Sequence, residues 1–360
     1  MNYTEQEIDI IVLSSFEELT YAAKRTLLSD FKSTSPDFTS NKNLLIKTLS
    51  SGVYNKVKGK FSDAEYRAQV LRELEEQSVV CVTYFSGSYP ESLKTIDAPP
   101  VMLYCKGDVS LLKTECFSVV GSRATPPKKL ADCAEISARL TKSFTLVSGL
   151  ADGVDSCALQ SALDAGGKVI SVLANGLDKA YPACNANLMQ RISREGLLIT
   201  EYRTGVVARS FHFPFRNRII AALSVGTLVV SAGSKSGALI TASYALEFGR
   251  DVFAVPDYPG NPSGEGCNFL IKKGAYLTEN ILDIFDFYGL DFKASEKKQL
   301  TSDEQAVFGI LKNCAEAAAF EIAQKLDKAL YEVLAVITML EMKGLVCRLG
   351  GNRFKAKNIN

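Results

Sequence analysis

The stretch FTLVSGLADGVDSCALQSALDAGGKVISVLAN, residues 144–175, decides the fold. It opens on the apolar run Phe144-Thr145-Leu146-Val147, breaks at Ser148-Gly149, continues at helical length through 155–166, and closes on Val169-Ile170-Ser171-Val172-Leu173. Runs that are continuous in apolar character, instead of alternating, belong to strands covered on both faces of a parallel sheet. The same pattern recurs outward on both sides: VVCVTYF (79–85), CFSVVG (116–121), LLITEY (197–202), TLVVSA (227–232) and VFAVP (252–256). Stretches of helical length separate them at 130–143, 185–195, 215–224 and 236–249. Regular alternation of this kind predicts a doubly wound α/β domain over 79–292 with a parallel sheet, and ligands where loops leave the carboxyl ends of strands.

The flanks read differently. Within 1–78 apolar residues recur every three to four positions (Ile8, Ile11, Val12, Phe16, Leu19, then Tyr66, Val70, Leu74), the spacing of amphipathic helices. Ser33-Thr34-Ser35-Pro36 breaks this helical module. Lys56, Lys58 and Lys60 around Gly59 read first as a solvated loop and second as phosphate contacts. Lys293 to Gln299, KASEKKQ, has the composition of a linker. Beyond it, 300–357 carries two or three helical stretches, with Ala329 to Lys343 as the last of them, and then a hairpin turning at Gly350-Gly351-Asn352. That is the order of a winged-helix module, and Glu332 and Glu341 make its last helix a poor reader of the major groove.

Composition removes several function classes. With 41 Lys+Arg against 40 Asp+Glu, no bulk field advertises a polyanion, so any nucleic-acid site must be a local cluster. One histidine, His212, excludes a multi-histidine metal centre and leaves a single imidazole for any triad chemistry; it reads as a non-catalytic surface or packing residue. Nine widely spaced cysteines lack zinc and redox spacings and point to reduced thiols in a cytoplasmic protein. The start MNYTEQEIDI lacks the features of a signal peptide, and no apolar stretch approaches about 18 residues, so export and membrane spanning are not expected.

Three loops after strands offer anion sites. Gly121-Ser122-Arg123 precedes a helix beginning near Lys128; the glycine admits close approach and the guanidinium can pair with phosphate, although a turn capped by Ser122 reads as well. Ser148-Gly149 leads through Asp152 to Asp155, a natural N-cap. Lys235-Ser236-Gly237 resembles a reduced phosphate loop without the G-x-x-x-x-G-K-[ST] order, so nucleotide hydrolysis is not expected. The densest cluster is Arg209, Phe211, His212, Phe213, Phe215, Arg216, Asn217 and Arg218. Arginines interleaved with aromatics suit single-stranded nucleic acid, because phosphates pair with guanidinium while bases stack on rings. Phe213 is the preferred platform, Phe211 and Phe215 read as core, and one arginine should be held in an internal ion pair.

In this order the loops are recognisable. YPESL (89–93), APPVMLYCKGD (98–108), VVGSR (119–123), SGLADGVD (148–155), YPACN (181–185), FPFRNRIIAALS (213–224), SGALITASYALEFGRDVFAVP (236–256) and GCNFLIKKGA (266–275) together resemble the DNA-processing protein A family, also called Smf, of bacterial natural transformation. The resemblance implies an extended Rossmann-like core with an N-terminal SAM-like module and a C-terminal winged helix. It implies a homodimer that binds single-stranded DNA and places a RecA-type recombinase on it, with no cofactor, metal or catalysed reaction. Carried onto matching positions, the DNA pocket comprises Ser122, Arg123, Ser148, Gly149, Phe213, Arg216, Asn217, Lys235, Ser236 and Gly237, with Arg209 a looser match. The expected grip on phosphate combines Arg123, Arg216 and Lys235 with the N–H groups of Ser122, Gly149 and Gly237. Phe269, Leu270 and Ile271 are candidates for the dimer contact. Asp257, Ala222 and Ala238 depart from the family's usual residues. Two other readings compete: a nucleotide-cleaving hydrolase of the lysine-decarboxylase-like Rossmann group, whose PGGxGTxxE motif is missing here, and a winged-helix transcription regulator.

Overall fold

The computed structural model describes residues 3–290 except Ser29, Asp30, Thr34, Ser40, Leu44, Leu45, Lys47 and Thr48, and residues 301–356 except Asn313, Ala315, Lys343, Gly344, Gly350 and Gly351. The expected linker Lys293 to Gln299 lies outside the described residues, as do Thr34 of the early break and Gly350-Gly351 of the late turn. The chain divides into two compact units, Met1–Tyr288 and Gly289–Asn360.

The first unit is built on a nine-stranded sheet. Its strands are β1 (Val80–Thr83), β2 (Met102–Gly107), β3 (Cys116–Val120), β4 (Thr145–Ser148), β5 (Val169–Val172), β6 (Leu197–Thr200), β7 (Ser224–Val229), β8 (Asp251–Ala254) and β9 (Tyr276–Leu277). They lie in the order β1-β2-β6-β5-β4-β3-β7-β8-β9. From β6 to β9 every neighbouring pair is parallel. β3 to β6 are buried along their whole length, as continuous apolar runs require. The chain winds from β3 outward to β6, then returns through the helix His212–Leu223 to place β7 on the other side of β3. The order therefore reverses between β3 and β7, which is where a doubly wound α/β fold opens its ligand crevice.

One strand departs from expectation. VVCVTYF forms β1, which runs antiparallel to β2, and β2 in turn runs antiparallel to β6. Its unbroken apolar character has a different cause from that of β3 to β6. The N-terminal helix Glu5–Ser14 packs on it with Ile10, Ile11, Val12 and Leu13 buried, and the Cys81 N–H donates to the Tyr3 hydroxyl at 2.9 Å. Helix cover makes an edge strand look internal.

The helices Glu5–Ser14, Tyr21–Leu27, Ser51–Phe61 and Ala64–Glu76 belong to this same unit. Thr4 and Glu7 form a capping box at the first. They are fixed to the α/β core by Tyr21 Oη donating to the Pro99 carbonyl at 2.9 Å, Thr204 Oγ1 to Gln77 Oε1 at 2.6 Å, and Ser86 Oγ to Glu7 Oε1 at 2.6 Å. Lys56, Lys58 and Lys60 lie on the helix Ser51–Phe61 and not in a loop, with Lys56 paired to Glu18 at 2.7 Å. Lys56 and Lys60, four apart, share a helix face near Glu18, and Lys58 lies off that face.

The second unit has the helix Ser302–Lys312, β10 (Ala317–Ala318), the helices Ala319–Leu326 and Leu330–Met342, then β11 (Val346–Leu349) and β12 (Arg353–Ala356). The strands form a sheet in the order β10-β12-β11, with both pairs antiparallel. Val307, Leu311, Ile322, Val333, Ile337, Leu340 and Phe354 form its core. Among the described residues of the chain, no helix is long and apolar enough to cross a membrane.

Candidate nucleic-acid interface

Loops following β3, β4 and β7 meet at the point where strand order reverses, and they enclose a cleft of about 420 Å³. Its lining includes Gly121, Ser122 and Arg123 after β3, Ala151 and Asp155 after β4, and Ser236, Gly237, Ala238 and Thr241 after β7. The helix His212–Leu223 supplies Phe213, Arg216, Asn217 and Ile220. Spacings of three and four put these four on one helical face. Pro214 is tolerated because it stands in the first turn, where its missing N–H would have had no intrahelical partner.

Close approach between the first two loops depends on glycine. A Cβ on Gly121 would enter the Val154 side chain, and one on Gly153, whose φ is +78°, would meet the Ser122 and Arg123 carbonyls. Gly153, not Asp155, is the N-cap of the helix Val154–Asp164. Asp155 sits inside the first turn, buried, and its carboxylate accepts from the backbone N–H groups of Gly121, Gly149 and Ala151. Burial pushes its carboxyl above the usual range, while nearby Arg216 opposes that shift. The expectation of a cap fails because this carboxylate is more useful beneath the loops, tying the first to the second.

Arg216 is the matching brace. It is 4% exposed, and its Nη1 donates to the Gly149 carbonyl at 2.8 Å and to the Val172 carbonyl. Its Nε donates to Asn217 Oδ1 at 3.1 Å, and Asn217 Nδ2 reaches the Gly237 carbonyl at 3.4 Å, so the second loop is tied to the third. Burial lowers its guanidinium to about 10, against the attraction of Asp155. Arg216 lines the cleft while its Nε and Nη1 hold the walls.

Two backbone donors assigned to phosphate are also spent: the Ser122 N–H donates to the Ser231 carbonyl at 2.7 Å, and that of Gly149 to Asp155. Ser148 is fully buried on β4 with its hydroxyl on the Val119 carbonyl at 2.7 Å, away from the cleft. Exposed Arg209 lines a separate cavity of about 450 Å³ beside the N-terminal helices, with Tyr21, Lys24 and Glu201. Exposed Lys235 stands next to Ser236 and Gly237 at the rim, and Gly237 has nothing within 4 Å of where a Cβ would stand.

What remains open to a ligand is an aromatic and cationic corner. The exposed Arg123 guanidinium lies 5.3 Å from the centroid of the Phe213 ring, and the Tyr181 ring centroid lies 5.3 Å from that of Phe213, tilted by 46°. Tyr181 is 45% exposed. Sequence reasoning quoted it within YPACN without giving it a role; the signal was an aromatic in a loop after β5, on the same side of the sheet as the other loops. Phe211, read as core, is instead 62% exposed, and Phe215 is half-buried beneath Arg218. Arg218 is the internally paired arginine, forked onto Glu201 at 2.7 and 2.8 Å. His212 is buried, bonded through Nδ1 to the Ala174 carbonyl at 3.0 Å and stacked on Tyr202, and burial lowers its imidazole below the ordinary value. Asp257 is accommodated locally by an ion pair with Lys129 at 3.0 Å and a hydrogen bond from Asn261.

A family model described as DNA recombination-mediator protein A matches residues 80–289. The DNA processing protein DprA of Streptococcus pneumoniae is 42% identical over 202 residues, which is 55% of this chain and 72% of that protein. An X-ray structure of DprA from the same organism superposes with a TM-score of 0.68 at 33% identity, covering 81% of this chain and all of that one. A structure of DNA processing protein A from Helicobacter pylori, described by its single-stranded DNA binding mode, gives a TM-score of 0.54 at 29% identity over 58% of this chain and 95% of that one. Fold, cleft position and these likenesses agree: the chain belongs to the DNA recombination-mediator protein A family.

Proposed function

We propose that the chain binds single-stranded DNA in the cleft between the loops of β3, β4 and β7, and hands it to a RecA-type recombinase in the cytoplasm during natural transformation, without catalysing a reaction. The observation that carries this reading is the corner made by Arg123, Phe213 and Tyr181. A guanidinium beside two rings suits a phosphate flanked by unstacked bases, and a duplex would hide those base faces. The site supports binding rather than hydrolysis: its buried acid, Asp155, is committed to three backbone donors, and His212 is stacked away under Tyr202. In this reading Arg123 and Lys235 contact phosphate, Phe213 and Tyr181 hold bases, and Ser122, Ser148, Gly149, Arg216, Asn217, Ser236 and Gly237 shape the walls. Arg209 would meet only a strand long enough to leave the cleft. The match to a recombination-mediator family and the Helicobacter pylori likeness support the partner and the polymer.

Three domains follow from the same reading: a SAM-like module over 1–78, the Rossmann-like core over 79–292 and a winged helix over 300–357, the last supported by its order of helices and antiparallel hairpin. A homodimer is part of it. Fluorescence anisotropy with labelled oligothymidylate, competed by unlabelled duplex and single strands, tests the central claim. Preference for the single strand is the expected result, and equal competition by duplex would remove it.

A further inference from the structure

The helices Pro127–Leu140 and Val154–Asp164, which follow the first and second cleft loops, pack against each other and carry one cysteine each at their contact. Their thiols are placed reciprocally. Cys133 Sγ lies 3.8 Å from the Val154 carbonyl, three residues before Cys157, and Cys157 Sγ lies 3.3 Å from the Leu130 carbonyl, three residues before Cys133. The two thiols influence each other's titration: Cys133 lowers the Cys157 thiol and is itself raised by it. Cys133 is fully buried and Cys157 is partly exposed, so one thiol is reachable from solvent and the other only from its neighbour.

We propose that Cys133 and Cys157 form a peroxide-sensitive pair that closes to a disulfide between the two helices supporting the cleft. The Cys157 thiolate attacks a peroxide oxygen and releases water or an alcohol, becoming a sulfenic acid. The Cys133 thiol then attacks that sulfur, expels water and forms the disulfide, so two thiols and one peroxide give one disulfide and the reduced peroxide. The direction of attack follows from exposure, since Cys157 is reachable from solvent and Cys133 is not; the neighbouring Cys133 lowers the Cys157 thiol, while Cys133 is held well above the ordinary range. Forming the bond draws the helices together. Gly121 and Gly153 leave no slack between the loops above them, so the movement reaches the cleft.

The test is peroxide treatment of the full reduced chain followed by non-reducing peptide mapping. A linked peptide joining Cys133 to Cys157, with the chain lighter by about 2 Da and restored by dithiothreitol, is expected. In Cys133→Ser the sulfenic acid should persist on Cys157 and be trapped by dimedone, whereas Cys157→Ser should give no linked peptide. Oxidation confined to the exposed Cys184, with no linked peptide, overturns the proposal. The effect on the cleft rests on the single-strand reading above: the oxidised chain should bind oligothymidylate at least about 3-fold more weakly, reversibly, and Cys157→Ser should not respond. Failure of the reduced chain to bind would count against that reading and leave the linked peptide intact; equal binding by both redox forms overturns the coupling.

Discussion

In the proposed reading Arg123 and Phe213 divide the work of holding a single strand, and substitutions separate their contributions. Arg123→Ala removes a cation from the polymer's counterion balance, so log affinity against log salt should flatten by ~0.7. Phe213→Ala should cost ~1 to 3 kcal/mol of binding at every salt concentration and leave that slope unchanged, because stacking displaces no counterion. Titrations at several salt concentrations check both; unchanged binding by both variants would place the DNA elsewhere. His212 gives a residue-scale prediction about folding. Its imidazole is depressed by burial from an ordinary value of 6.5, so the unfolded chain binds the proton more readily. The stability it supports is complete above 6.5 and is lost as pH falls through the lower folded value. Denaturant midpoints at pH 7.5 and 5.5 should therefore fall further for the native chain than for His212→Asn.

Asp155 and Arg216 act between elements. The carboxylate gathers donors from the loops after β3 and β4, and the guanidinium gathers carbonyls at the ends of β4 and β5. Arg216 is attracted by the Asp155 carboxylate, so removing that carboxylate leaves the guanidinium without its opposing charge, and Asp155→Ala should cost about 1 to 3 kcal/mol by chemical denaturation. Arg216→Met should destabilise comparably, and the double variant should lose less than the sum, since the second substitution removes the stranded charge. A strictly additive pair would show that the two braces are independent. This is also where the sequence ran out. The glycine-rich loops, their placement after strands and the presence of Phe213 beside them are legible, because they depend on residue type and on neighbours a few positions away. That Ser122 gives its N–H to Ser231, or that Asp155 lies under two loops instead of capping a helix, depends on partners set by strand order. Asp at a helix start reads as a cap until the fold supplies a stronger claim on its oxygens.

At the scale of the whole chain, a net charge of +1 conceals a basic, aromatic corner in one cleft, which is why composition excluded a polyanion field without excluding a nucleic-acid site. The unit Gly289–Asn360 has its own core, and its helix Leu330–Met342 carries Glu332 and Glu341. A chain ending at residue 298 should accordingly hold oligothymidylate within about 3-fold of the full chain. Self-association is argued from the opposite end of the sheet to β1. There β9 is a two-residue edge strand whose Tyr276 and Leu277 are exposed, and the helices on either side of it in sequence expose Phe269 and Leu282. Of the three residues singled out from sequence, Leu270 turns inward and Phe269 outward. An open edge with apolar side chains beside it is costly to leave in water, and we propose that a second copy pairs there. Sedimentation velocity should show a dimer for the native chain, and Leu277→Lys combined with Phe269→Glu should yield monomer with the single-strand cleft intact. A native chain that stays monomeric at tens of micromolar would refute this interface and the dimer together.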